Sequence, residues 1–167
     1  MHATSIAVTL FVLTTSVGSS CLAAQLPVSQ GAGTSAVRHV ATAADSAAIR
    51  ETALDYIEGW YEGNASRMER ALHPELAKRI VRTDPKSGRS GLGSQSAMTL
   101  VNATKAGGGT RTPEARRLKD VRILDIFENA ASVRVDASDW VDYLQVAKWN
   151  GRWVIVNVLW ELKPEAP

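Results

Sequence analysis

Residues 140–162 read WVDYLQVAKWNGRWVIVNVLWEL, and this stretch decides the fold. Asn150-Gly151 at its centre is a strong two-residue hairpin signal, because a type I′ turn needs positive φ at both central positions. The flanking runs, Trp140 to Trp149 and Arg152 to Leu162, are rich in β-branched and aromatic residues and read as paired strands. Upstream, Ser132 to Ser138 alternates Val133, Val135 and Ala137 against Arg134, Asp136 and Ser138, the period of a half-buried strand. Lys119 to Glu128, with Val121, Ile123, Leu124, Ile126 and Phe127, makes another strand, and Asn129 can turn the chain at positive φ. Simple alternation leaves the last strand apolar on both faces: Trp153, Ile155 and Leu159 on one, Val154, Val156, Val158 and Trp160 on the other. A sheet open to water on one side does not read so. Either the chain covers both faces or a second copy covers the outer one, and the second copy is the expectation.

Helices precede this meander. Asp45 or Ser46 can cap a helix whose apolar positions Ile49, Ala53, Tyr56, Ile57, Trp60 and Tyr61 follow the 3.6-residue period. Gly63 suits its left-handed end, and Asn64 can cap a short second helix through Met68 and Leu72, stopped by His73-Pro74. The segment Ala77 to Thr83 and a turn at Asp84-Pro85-Lys86-Ser87-Gly88 follow. Ser94 can cap a third helix to about Lys105, with Ala97, Met98 and Val101 on its apolar side. Gly107-Gly108-Gly109 ends it and is not a phosphate loop, since no strand feeds it and no Gly-Lys-Ser/Thr follows. Helices first and an antiparallel meander after them define an α+β domain, with the helices on one face of a strongly curved sheet.

The chain has 167 residues and a formal net charge of +2, with 19 basic against 17 acidic side chains. That balance argues against a nucleic-acid or acidic-membrane partner. The single Cys21 and the three histidines, His2, His39 and His73, exclude a disulfide framework within the chain and a multi-thiolate or multi-histidine metal site. No serine nucleophile elbow, dinucleotide fingerprint or pair of glycosidase carboxylates is legible, so no metal or cofactor is expected.

The first 44 residues hold no acidic side chain and one arginine, Arg38. The apolar run Ile6 to Leu13 is too short to span a bilayer, which takes about 20 residues. With Cys21-Leu22-Ala23-Ala24 behind it, the run reads as a secretory signal over residues 1–24. Periplasmic or secreted export is therefore expected, with lipid attachment at Cys21 as the alternative. Residues 25–44, small and polar without period, read as a linker, and residues 45–167 as the folded domain.

The succession YIEGWYEGNASRMERALHPELAKRIV, a mid-chain hairpin and helix, and the ending DYLQVAKWNGRWVIVNVLWELKP resemble the nuclear-transport-factor-2-like superfamily over roughly residues 47–163. Within it the chain is most similar to the lumazine-binding group, related to the SnoaL-like polyketide cyclases. The resemblance implies a cystatin-like cone in which a curved sheet wraps around helices and leaves an apolar pocket at the open end, commonly in a homodimer. Such folds include isomerases, cyclases, dehydratases and non-catalytic binding domains, so fold alone does not choose a reaction.

His73 is the one histidine of the domain and can serve as acid or base near neutral pH. The resemblance places it near the pocket mouth, while the plainer reading is a helix-end imidazole bonded to backbone carbonyls. Residues 67–89 hold seven basic side chains, Lys78 and Arg79 among them, against three acidic, and Arg79 is the candidate contact for an anionic ligand. Asp142 falls between Trp140 and Leu144 on one face of its strand. A carboxylate on an apolar face has its pKa raised by desolvation and becomes a usable base, whereas a salt bridge to Arg134 or Arg152 is the plainer reading. Trp60, Tyr61, Tyr143, Asn157 and Trp160 complete an aromatic set suited to a flat ring or a polyketide-like ligand. The expectation is a pocket for a small organic molecule, with a cofactor-free proton transfer by His73 or Asp142 if it is an enzyme. The rival is a non-catalytic scaffold whose interior is filled by Phe127, Trp140 and Trp160.

Overall fold

A computed structural model describes residues 41–164. The signal and lipid-attachment readings, and most of the linker, lie outside the described residues. The first helix, α1 (Ala43–Glu62), starts two residues before the expected cap. Thr42 is the N-cap: its Oγ1 accepts from the Asp45 N–H at 3.1 Å, and the Asp45 carboxylate accepts from the Thr42 N–H at 3.1 Å. This reciprocal box satisfies two donors that a helix start leaves open. Asp45 also takes bonds from Lys148 at 2.8 Å and the Trp153 indole at 3.1 Å, so it ties the helix to the sheet instead of heading it.

Gly63 ends α1 in the left-handed region at φ 69°, and Asn64 caps α2 (Ala65–Ala71), as the sequence suggests. The chain then enters β1 (Leu72–Thr83) and returns through β2 (Ser90–Ser96) into α3 (Ala97–Lys105). Ser96 caps α3, because Ser94 is taken up in β2 opposite Arg79. The register of α3 buries Ala97 and Leu100 and leaves Met98 64% exposed, against the expectation for Met98. After a single 3-10 turn at Glu114–Arg116 come β3 (Lys119–Phe127), β4 (Ala130–Ala137), β5 (Trp140–Trp149) and β6 (Arg152–Leu162). Asn150 and Gly151 have φ of 49° and 79°, the two positive values that the hairpin requires. At the β3–β4 turn the positive φ falls on Glu128, not Asn129.

The six strands form one sheet in the order β2-β1-β6-β5-β4-β3, antiparallel except where β1 lies parallel to β6. The β1–β6 register slips between Leu72 and Ala77, which places Pro74, with no N–H to give, outside the regular ladder. The core joins Ile49, Ala53, Tyr56 and Ile57 of α1 to Val133 and Val135 of β4, Leu144 and Val146 of β5, and Trp153, Ile155 and Val158 of β6. Ile155 and Val158 cannot share a face by alternation. Gln145 pairs with Asn157 and Val146 with Ile155, so Val156 has no partner on β5 and forms a bulge. The extra residue reverses the phase of the strand. Beyond it Val158 is buried like Ile155 and Leu159 is 55% exposed, whereas simple alternation puts Leu159, not Val158, on the face of Ile155. Part of the apparent two-sidedness of β6 is thus a bulge read as regular alternation.

Candidate functional site

Tyr56 and Trp60 stand one turn apart on α1 and both border a cavity of about 270 Å³. Met68 of α2, Leu100 of α3, Lys78 of β1, Trp140 of β5, and Trp160 and Leu162 of β6 line the rest, with the exposed Asp139 at the rim. Trp60 and Trp140 meet edge to face, with ring centroids 6.5 Å apart. Gly108 and Gly109 pack directly against Trp60, since a Cβ on either would overlap the Trp60 indole. Such close approach is a reason for glycine at these positions.

The polar floor is a triad. Lys78 Nζ donates to Asp142 Oδ1 at 2.6 Å and to the Tyr56 hydroxyl at 2.6 Å. Asp142 Oδ2 accepts from the Tyr56 hydroxyl at 3.1 Å and from the Trp140 indole N–H at 2.6 Å. Asp142 is fully buried, and Lys78 is 6% exposed. A buried ion pair survives desolvation best when further hydrogen bonds support it, and here Tyr56 and Trp140 bond the second carboxylate oxygen while Tyr56 takes a second ammonium proton. Burial pulls the Lys78 ammonium below its ordinary pKa, and the Asp142 carboxylate opposes that pull. Burial, with Asp142 beside it, holds the Tyr56 phenol well above its ordinary value of 10.0, so it remains a proton donor. The Lys78 ammonium also lies 4.8 Å from the centroid of the Trp160 ring, a cation–π distance.

Asp142 stands on the face expected for it, but its salt bridge goes to Lys78 and not to Arg134 or Arg152. Arg134 pairs with Asp136 at 2.8 Å, and Arg152 donates to the Arg70 carbonyl at 2.8 Å. Asp142 is not a cavity-lining residue; Lys78 and Tyr56 carry its influence to the wall. Trp60 and Trp160 line the cavity, whereas Tyr61 stands behind Trp140 at 6.1 Å between centroids and bonds Leu118 and Ser138. Arg79, Tyr143 and Asn157 come together along an open groove beside the exposed Leu159, apart from the aromatic cavity. His73 lies at the β5–β6 hairpin tip, its ring edge-on to Trp149 at 4.9 Å, with Nδ1 accepting from the Glu75 N–H at 3.1 Å. It accepts from a backbone amide where bonds to carbonyls were expected, and it does not line the aromatic cavity. Among the described residues no group of three or more His, Cys, Asp or Glu could hold a metal ion, and no helix is long and apolar enough to cross a membrane.

Sequence reasoning missed Lys78 and Tyr56. Lys78 was one of seven basic residues in its segment, and Tyr56 one of a helical core stripe. The usable signal was the phase of β1, in which Leu76, Lys78 and Ile80 are all buried and the lysine shares a face with two aliphatic side chains.

The family model described as "Putative lumazine-binding" matches residues 44–161. Among solved structures, an NTF2-like protein of unknown function from Shewanella baltica OS155 aligns at 20% identity and a TM-score of 0.58, over 76% of this chain and 100% of that one. An NTF2-like protein of unknown function from Methylobacillus flagellatus KT aligns at 20% identity and 0.57, over 74% and 96% of the two chains. A protein of unknown function with a cystatin-like fold from Nostoc punctiforme PCC 73102 aligns at 16% identity and 0.56, over 77% and 98%. At these identities the likeness establishes the NTF2-like, cystatin-like fold. No curated protein matches the chain.

Proposed function

This chain belongs to the family described as "Putative lumazine-binding", and on that premise we propose that it binds a small, flat organic molecule between Trp60, Trp140 and Trp160. The observation that carries the reading is the Lys78 ammonium on the wall of a cavity that, apart from Asp139 at its rim, is lined by aromatic and aliphatic side chains. Ligand pockets combine a largely apolar lining with a few placed polar groups. Against a filled scaffold, Trp140 and Trp160 line open space, and Phe127 is 65% exposed. The test is native mass spectrometry of the purified protein for a copurifying small molecule. A bound species lost in Trp160→Ala supports the reading, and a protein that retains no small molecule and takes up none offered to it overturns it.

The hydrogen-bonded triad favours a second reading, a cofactor-free proton transfer on the bound ring. Lys78, with Tyr56, would face the substrate, and Asp142 would act through them.

Two further readings complete the proposal. The exposed Tyr143 and Leu159, neighbours across β5 and β6, support a homodimer through the outer sheet face. The apolar run Ile6 to Leu13 and the small residues after it support export, with N-terminal sequencing of the mature chain near Leu22 to Leu26 as the check.

A further inference from the structure

The charge of the ligand follows from the bonding of Lys78, provided that the cavity is a ligand site as proposed above. An ammonium has three protons. Asp142 Oδ1 takes one at 2.6 Å and the Tyr56 hydroxyl takes another at 2.6 Å. The third has no hydrogen-bond acceptor among the described residues, and the ammonium borders the cavity beside the Trp160 ring. Its charge is already matched by Asp142, which is wholly buried. The one carboxylate of the lining is Asp139 at the rim, and the nearby Arg82, exposed and 5.9 Å over the Trp160 ring, is not a lining residue.

We infer that the cavity selects an uncharged flat ring bearing a carbonyl or equivalent acceptor oxygen, held by the third Lys78 proton, and turns away carboxylates of the same shape. A neutral acceptor meets the remaining donor without disturbing the Lys78–Asp142 balance. A carboxylate would set a second negative charge next to Asp142 with one buried cation between them, and an unmatched charge taken from water costs far more than one hydrogen bond returns. Asp142 is thereby a positioning residue that sets the charge preference of a site it does not touch.

The test uses 2-acetylnaphthalene and 2-naphthoate, which share two fused rings and differ in charge, titrated calorimetrically into the protein at neutral pH. The acetyl compound should bind at least about tenfold more tightly, the penalty for burying an unmatched charge. Asp142→Asn keeps an acceptor for Trp140 and Tyr56 but leaves the Lys78 charge unmatched, so the order should reverse, with naphthoate tighter by about tenfold. A merely structural Asp142 would weaken both compounds alike. Equal or tighter binding of naphthoate to the parent protein, or an unreversed order in folded Asp142→Asn, overturns the inference while leaving the ligand site standing. Binding of neither compound to folded protein overturns both. Should Asp142→Asn not fold, the two affinities of the parent protein decide alone.

Discussion

The Lys78 ammonium lies 2.6 Å from Asp142 Oδ1, although 64 positions separate the two residues and their strands are not neighbours. β6 lies between β1 and β5, with Val158 beside Lys78 and Trp160 beside Asp142. Adjacent strands are about 4.8 Å apart, so the lysine arm spans the width of β6 to reach its partner. The pair therefore fastens three strands across the floor of the cavity.

Breaking the pair on one side should cost far more than removing it whole. Asp142→Leu strands an ammonium in the interior, and we expect a loss of about 3–5 kcal/mol in urea unfolding. The double variant Lys78→Met/Asp142→Leu should recover most of that loss, because neither charge remains. A double variant as unstable as the single would show that the charges contribute little and that shape dominates.

Acid should weaken the fold through Asp55. Burial pushes this carboxyl up, but the Arg70 and Arg67 guanidiniums outweigh burial and hold it below its ordinary value of 3.8. A carboxyl whose pKa is lowered on folding stabilises above its unfolded value, and that stability is lost as pH falls through the folded value. The urea midpoint should therefore drop as pH is taken below about 4, and the drop should shrink in Asp55→Asn. An identical acid profile in the variant would remove Asp55 from the account.

Gly108→Ala should disturb the cavity wall, since its Cβ would overlap the Trp60 ring. We expect about 1–3 kcal/mol of destabilisation, typical of overpacking, together with a changed tryptophan emission spectrum. Unchanged emission and stability would mean that the Gly107–Gly109 loop yields freely.

His73→Ala separates the hairpin tip from the cavity. The ring's edge contact with Trp149 and its bond from Glu75 together predict a loss of about 1 kcal/mol or less in thermal unfolding. Calorimetric affinity for any cavity ligand should not change. A tenfold weakening would return His73 to the site.

The outer face is tested by Leu159→Lys, which adds a charge to a half-exposed position of β6. Sedimentation should show a dimer for the parent protein and a folded monomer for the variant. The matching change at Val158 should instead prevent folding, because that side chain is 2% exposed and part of the core. A parent protein that is monomeric at every concentration would rule out the dimer.

What the sequence determined by itself was local. The spans of β5 and β6 follow from Asn150-Gly151 and the apolar runs beside it; the N-cap of α2 follows from the Asn64 side chain bonding its own neighbour, and the end of α1 from the freedom of Gly63 at positive φ. The tertiary structure decided everything that depends on register between distant segments. The Val156 bulge shows only when β5 is laid against β6, because one extra residue leaves no mark in a run of valines. Asp142 could be assigned a face but not a partner, since Lys78 reaches it only when β1 docks parallel to β6 at the pairing of Lys78 with Val158. Trp60, Trp140 and Trp160 read equally well as core, and the cavity exists because α1, β5 and β6 hold their rings around open space. Period and capping chemistry act over a few residues and are written in the chain, whereas pairing across the sheet depends on the whole free energy of packing.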